Sequence, residues 1–123
     1  MNANPTPIHL AEPLAIDEAR SASRALASQR RNAEDTLQAA VEHAAASEQK
    51  YRKAYARAIV SVEGPAVVKE AQAKAQASGE AYDRDLAVGM VKVAGERLRG
   101  LEGERSQLRA LMDMSARQFG AGA

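Results

Sequence analysis

One helix breaker, Glu63-Gly64-Pro65, interrupts a pattern that is otherwise helical from Asp17 to Arg117. Glycine can take the left-handed conformation that closes a helix, and proline is well tolerated as the first residue of the next one. We therefore predict helix one over about residues 17–62, a turn at 63–65 and helix two over about 66–117. The predicted fold is all-α. Because so short a connection makes consecutive helices antiparallel neighbours, we expect a long antiparallel helical hairpin. Its helices are on the order of 70 Å in length.

The two ends of the chain carry no helical period. Residues 1–16 contain three of the four prolines and are predicted to be a flexible arm, and residues 119–123 a flexible tail. The first residues lack the charged start and apolar run of a signal peptide, and no apolar run approaches the roughly 20 residues that span a bilayer. We expect a cytoplasmic protein with no membrane partner.

A heptad spacing of small and apolar residues marks the face that each helix is expected to bury. In helix one this stripe contains Leu26, Arg30, Ala33, Leu37, Ala40 and Ala44, and after a one-position shift Tyr51, Tyr55, Ala58 and Val62. In helix two it contains Val67, Ala71, Ala75, Ser78 and Tyr82, followed by Ala87, Val91, Ala94, Leu98, Leu101, Arg105, Leu108 and Met112. The pattern predicts a coiled-coil-like seam.

The seam is expected to be too thin to stabilise one chain by itself. Alanine fills 28 of the 123 positions and aromatic residues make up only 3%, so little apolar area is available for burial. Such cores are usually completed by other copies of the chain, and the apolar stripe of helix two is wide enough for more than one neighbour. We expect a homo-oligomer whose interface contains Leu86, Met90, Val93, Leu98, Leu101, Leu108 and Met112.

Five glycines inside helix two leave two interpretations open. They are Gly79, Gly89, Gly95, Gly100 and Gly103. Each costs up to about 1 kcal/mol relative to alanine in an exposed helix interior. They indicate either sequence drift or a break near residues 100–103, or else a close approach between packed helices.

Few residues are suited to catalysis or to metal binding. Cysteine is absent, and the two histidines, His9 and His43, stand in no zinc-binding motif. The segment Gly95–Gly100 lacks the preceding strand and the Gly-Lys-Ser/Thr ending of a phosphate-binding loop. We expect no enzyme, no metal and no cofactor.

The most informative charge cluster lies near the end of helix one. Net charge is only +1, but no acidic residue occurs between Gln49 and Val62, a stretch that carries several cations. Its candidate nucleic-acid-binding residues, with two lysines that extend the patch onto helix two, are Lys50, Arg52, Lys53, Arg57, Lys69 and Lys74. Tyr51 and Tyr55 either stack on single-stranded bases or, as we favour, pack in the seam. An ordinary solvated helix face explains the charges equally simply.

A second basic set is interleaved with acidic residues. It contains Arg97, Arg99, Arg105 and Arg109, beside Glu96, Glu102 and Glu104. Such alternation favours ion pairs within or between helices over a phosphate-binding track.

The segment Lys53-Ala-Tyr-Ala-Arg57 before a glycine-containing turn, and the terminal run from Leu108 to Gly122, resemble the UvsY-type recombination mediators of bacteriophages. The two segments cover about a third of the chain. The resemblance implies a homo-oligomer, with a ring as the expected arrangement, that binds single-stranded DNA and helps a recombinase to displace single-strand-binding protein. The family's basic pair corresponds to Lys53 and Arg57. The proline-containing N-terminus matches nothing in the family.

Two functions of different classes follow. The leading hypothesis is a single-stranded-DNA-binding recombination mediator without catalytic activity. The alternative is a coiled-coil scaffold or assembly protein with protein partners only, which the near-zero net charge and the small-residue seams favour. A regulatory adaptor is a third option for which the sequence offers no specific feature.

Overall fold

The computed structural model describes residues 14–120, which form three helices and contain no strand. Helix α1 spans Leu14–Ser61, α2 spans Ala66–Gln76 and α3 spans Ser78–Gly120. The all-α prediction is confirmed for this part of the chain. Because α1 begins at Leu14 and α3 ends at Gly120, residues 14–16 and 119–120 are helical and do not belong to the predicted arm and tail. The remainder of the arm and tail, residues 1–13 and 121–123, lies outside the described residues.

The turn between α1 and α2 lies at the predicted position. Gly64 has a φ of 122°, a conformation that residues with a Cβ rarely adopt. Pro65 is the N-cap of α2, and its carbonyl accepts a hydrogen bond from the Lys69 amide at 2.9 Å. The Val62 amide donates to the Ala58 carbonyl at 3.1 Å. Glycine thus permits the turn after α1, and the fixed φ of proline starts the next helix.

The single helix two of the prediction is in fact two helices, which meet at Ala77. Its φ of −93° and ψ of 13° depart from helical values. The Ala77 amide still donates to the Ala73 carbonyl at 3.0 Å, and the Ala81 amide donates to the Ala77 carbonyl at 2.9 Å. The interruption is therefore confined to one residue. Alanine is the strongest helix former, so composition offered no sign of it.

The described residues divide into two compact units, and the first contains residues 14–33 and 97–120. Its core cluster is formed by Leu26, Ala33 and Leu101, against which Leu98 and Leu108 pack. All five were predicted to lie in the seam. Leucines separated by heptad steps therefore mark the buried face of this unit correctly.

The buried side chains of the second unit, Glu34–Glu96, are mainly alanines. Ala73 and Ala77 are fully buried, whereas Val67 and Tyr82 are 79% and 68% exposed. The first half of the predicted helix-two stripe is therefore wrong, because the buried positions lie two residues later in the sequence than predicted. Its other members, Ala71, Ala75 and Ser78, are exposed as well. Alanines at alternate positions from 71 to 77 offer a small residue in either register, so the pattern could not distinguish them.

The stripe of α1 in this unit is more regular than predicted. Ser47 is buried, although it was left out of the predicted stripe. Tyr51 follows Ala44 by one heptad, so no shift occurs there. The shift appears only at Tyr55 and Val62, the first half-buried and the second buried, just before the turn.

None of the five glycines breaks α3, and four of them make no close contact inside the chain. α3 continues through all five of them. A Cβ built at Gly79, Gly89, Gly100 or Gly103 would meet no atom within 4 Å. The space beside them is open in the single chain.

Among the described helices, none combines the length and the apolar character that crossing a membrane requires.

Candidate nucleic-acid interface

The basic face of α1 consists of Lys50, Arg52, Lys53 and Arg57, and all four side chains are exposed. Lys53 and Arg57 are four residues apart and therefore lie on the same side of the helix. Neither forms an ion pair with a described residue. Two unneutralised cations thus lie about one helical turn apart.

Arg52 is neutralised in part by an acid that the sequence window excluded. Its Nε donates to Glu48 Oε1 at 3.1 Å, an i, i+4 pair in which Arg52 is 75% exposed. Exposed pairs of this kind contribute about 0.3–0.5 kcal/mol. Arg52 can therefore exchange Glu48 for a phosphate at small cost. Glu48 lies directly before Gln49, where the acid-free interval begins.

Lys50 lies beside two carboxylates of α3. It lines a cavity of about 300 Å³ with His43, Ser47, Glu80, Asp83 and Leu86. One oxygen of Glu80, Oε2, is buried and has no hydrogen-bond partner among the described residues. Negative charge from Glu80 and Asp83 lowers the positive potential around Lys50, which makes it the weakest candidate on the basic face.

The two tyrosines pack in the seam, as the favoured interpretation had it. Both are half-buried, and their ring centroids are 6.1 Å apart. The guanidinium of Arg84 lies 4.2 Å from the Tyr51 ring centroid and covers one face of it. A base could stack on that face of Tyr51 only after displacing Arg84.

Arg84 is the centre of a polar cluster that the sequence did not predict. Its Nε donates to Asp85 Oδ1 at 3.1 Å and lies 3.7 Å from Glu48 Oε2. The Asp85 hydrogen bond raises the pKa of the Arg84 guanidinium above its usual value, with smaller contributions from Tyr51 and Glu48. Arg84 therefore stays charged and holds α1 and α3 of this unit together.

The two lysines of α2 contribute unequally to the predicted patch. Lys69 is half-buried, and its amide forms part of the first turn of α2. Lys74 is exposed in the last turn of α2. Any extension of the basic face onto α2 therefore depends mainly on Lys74.

The seven predicted interface residues separate into two groups. Leu86, Met90 and Val93 are 54%, 51% and 68% exposed. The other four take part in packing within the first unit. Leu101 is in its core, Leu98 and Leu108 pack against that core, and Met112 lines a cavity. Only the exposed group is free to contact another chain without rearrangement.

An arginine-lined cavity in the first unit was not predicted from the sequence. It has a volume of about 460 Å³ and is lined by Arg30, Arg105 and Arg109 with an apolar wall that includes Leu26 and Leu108. Arg30 lies 3.9 Å from Glu102. Arg105 and Arg109 form no ion pair with a described residue, although alternation with glutamates had favoured such pairs. Only the pairing of α1 with α3 brings Arg30 next to them.

In the described range, no group of three or more His, Asp or Glu side chains is arranged to hold a metal ion.

No family model matches the chain, and neither a curated protein nor a solved structure is detectably similar to it. The relation to UvsY-type mediators stays a prediction from the residues quoted above.

Proposed function

We propose that the protein is a non-enzymatic, homo-oligomeric protein that binds single-stranded DNA through the basic face of α1. The observation that carries the proposal is the pair Lys53 and Arg57, exposed, four residues apart and without an acidic partner in the described chain. Two cations at this spacing suit consecutive phosphates of one strand. Arg52 adds a third contact once it releases Glu48.

The scaffold of the proposal is an antiparallel helical hairpin. Within the first unit, Arg30 is next to Glu102, and a single cavity is lined by Ser23 and Met112. Earlier residues of α1 thus meet later residues of α3, as antiparallel helices require. In the second unit, the Gly64–Pro65 turn supports the same direction.

Homo-oligomerisation would raise the affinity for single-stranded DNA above that of one chain. Each chain offers only a few cations, whose binding to a phosphate backbone is weak at physiological salt. Repeating the basic face on several copies multiplies the phosphates that one strand can contact, because the second contact becomes intramolecular. The specific role of a recombination mediator rests on the resemblance to phage mediators.

Binding to DNA is tested by fluorescence anisotropy with a labelled single-stranded oligonucleotide. We expect Lys53→Ala/Arg57→Ala to bind at least about tenfold more weakly at low salt, and its salt slope to fall by about 1.4, since each lost contact to a single strand removes about 0.7. Arg20→Ala/Arg24→Ala is the matched control, because it removes two exposed α1 cations at the same spacing. Equal affinity of both variants would reject the site, and absence of binding by the wild type would reject the function.

The mediator role requires a separate assay. We expect the protein to shorten the lag before a strand-exchange recombinase assembles on DNA coated with single-strand-binding protein. The Lys53→Ala/Arg57→Ala variant should leave that lag unchanged. A wild-type protein that binds DNA without affecting the lag would keep the binding function and remove the mediator role.

A second candidate function is that of an assembly protein with protein partners only. It is favoured by the exposed apolar residues Leu86, Met90 and Val93 on α3. Salt-insensitive self-association together with no affinity for nucleic acid would select it over the first proposal.

A further inference from the structure

The exposed side of α3 in the second unit carries an apolar stripe of its own. Steps of three and four residues connect Gly79, Tyr82, Leu86, Gly89, Val93 and Glu96, and all six are exposed. At about 100° per residue they lie roughly opposite the buried stripe that contains Ala87 and Val91. We call these six residues the outer face of α3. Only Glu96 is charged, in a chain with 27% charged residues.

The composition of the outer face differs from that of an ordinary solvated helix surface. Tyr82, Leu86 and Val93 expose 68%, 54% and 68% of their area. Gly79 and Gly89 alternate with them and have no neighbour within 4 Å of a built Cβ. Large apolar groups next to glycine gaps form knobs and recesses at helical spacing, which a second helix can fill.

We propose that the outer face of α3 binds the same face of a second copy of this chain, with the two helices antiparallel. A two-fold axis midway between Leu86 and Gly89 places Leu86 of each copy over Gly89 of the other. The same axis places Tyr82 opposite Val93. Gly79 then leaves room for the stem of Glu96. Each large side chain meets either a glycine or one other apolar side chain, so the surface is self-complementary, as a two-fold interface requires.

Charges along one edge of the outer face select the same arrangement. Asp85 and Lys92 are both exposed there and lie seven residues apart. The antiparallel arrangement puts Asp85 opposite Lys92 twice. In a parallel, in-register arrangement this edge would instead face the opposite edge of the partner's outer face, so Asp85 and Lys92 would not meet each other. Asp85 is positioned by Arg84 at 3.1 Å and remains 71% exposed.

This interface specifies how copies would join in the proposed homo-oligomer, but it does not rest on nucleic-acid binding. Lys53 and Arg57 belong to α1 and are not part of the outer face. Failure of DNA binding would leave the interface standing. A monomeric variant that retained part of the DNA affinity would show that the two properties are separate.

The first test is sedimentation velocity of the full chain over a range of concentrations. We expect a dimer or larger species for the wild type, and for Gly89→Leu an apparent dissociation constant at least about tenfold higher, because the new side chain fills the recess for Leu86. The melting temperature of Gly89→Leu measured at low concentration should not fall, since leucine is a better helix former than glycine. Ser106→Leu, an added leucine elsewhere on the exposed surface of α3, is the control and should self-associate like the wild type.

The second test determines the pairing of Asp85 with Lys92. We expect Asp85→Lys and Lys92→Asp each to weaken association, and the double variant to restore it to within about threefold of the wild type. Only an arrangement that opposes these two positions predicts such a rescue. A wild type that is monomeric at all concentrations, a Gly89→Leu variant that associates normally, or a double variant weaker than both single variants would each overturn the proposal.

Discussion

The two compact units use the same heptad geometry but fill it with different side chains. In the first unit, Leu98, Leu101 and Leu108 gather around Leu26 and Ala33. In the second unit, alanines such as Ala73, Ala77, Ala87 and Ala94 are buried, and Arg84 connects the Tyr51 ring with Glu48 and Asp85. Each buried leucine removes far more apolar area from water than an alanine does. Stability in the first unit is therefore concentrated in a few side chains.

The stability of the second unit depends more on the close packing of small side chains than on the apolar area that they bury. A side chain that is fully buried beside other small residues leaves no space for a larger one. Its specific pairing comes from the polar contacts of Arg84, which only one register of α3 against α1 would allow. Truncation should therefore harm the first unit, and enlargement should harm the second.

The largest effect is expected from Leu101→Ala in the first unit. Leu101 is 9% exposed and central to its cluster, so the variant loses about 2–3 kcal/mol of unfolding free energy, the lower part of the range for buried leucines. Urea unfolding followed by circular dichroism at fixed protein concentration measures it. Val88→Ala, which truncates an exposed residue of the same helix, should change stability by no more than about 0.5 kcal/mol. Equal losses in the two variants would refute a leucine-based core.

The second effect is the converse, Ala73→Leu in the second unit. Ala73 is 0% exposed, so the added methylene and methyl groups force neighbouring side chains apart at a cost of about 1–3 kcal/mol. Ala75→Leu in the same helix is the matched control, because Ala75 is exposed and leucine is almost as good a helix former. The same unfolding experiment compares them. If Ala75→Leu were the more damaging variant, the register predicted from the sequence would be correct and the one described here would be wrong.

The sequence predicted the buried positions well where the side chains are large and poorly where they are small. Leucine gains much more from burial than alanine does, so Leu26, Leu98, Leu101 and Leu108 identified the buried face from sequence alone. Gly64 and Pro65 located the turn because their backbone requirements are specific. Alanine is tolerated on any face, and the register of α2 was accordingly missed.

The candidate site was less predictable than the fold, since it depends on contacts between helices. Exposure of Lys53 and Arg57 followed from helical spacing. The neighbours of Lys50, by contrast, are Glu80 and Asp83, which are distant in the chain. The contact of Arg84 with Tyr51 and the approach of Arg30 to Arg105 likewise require two helices to be paired in register. The Arg52–Glu48 pair was accessible to the sequence, because i, i+4 spacing alone predicts it.

The smallest effect is expected at the glycines, and it has opposite signs at Gly103 in the first unit and Gly64 in the second. Gly103 is inside α3 with open space around it, so Gly103→Ala should raise the unfolding free energy by about 0.5–1 kcal/mol through better helix propensity. Gly64 has a φ of 122°, so Gly64→Ala should lower it by about 1 kcal/mol, because a Cβ strains that backbone. Equilibrium urea unfolding of both variants at a concentration below self-association checks the signs. Loss of stability in Gly103→Ala under these conditions would mean that the glycine is needed for contacts inside the chain, which would contradict the open space beside it.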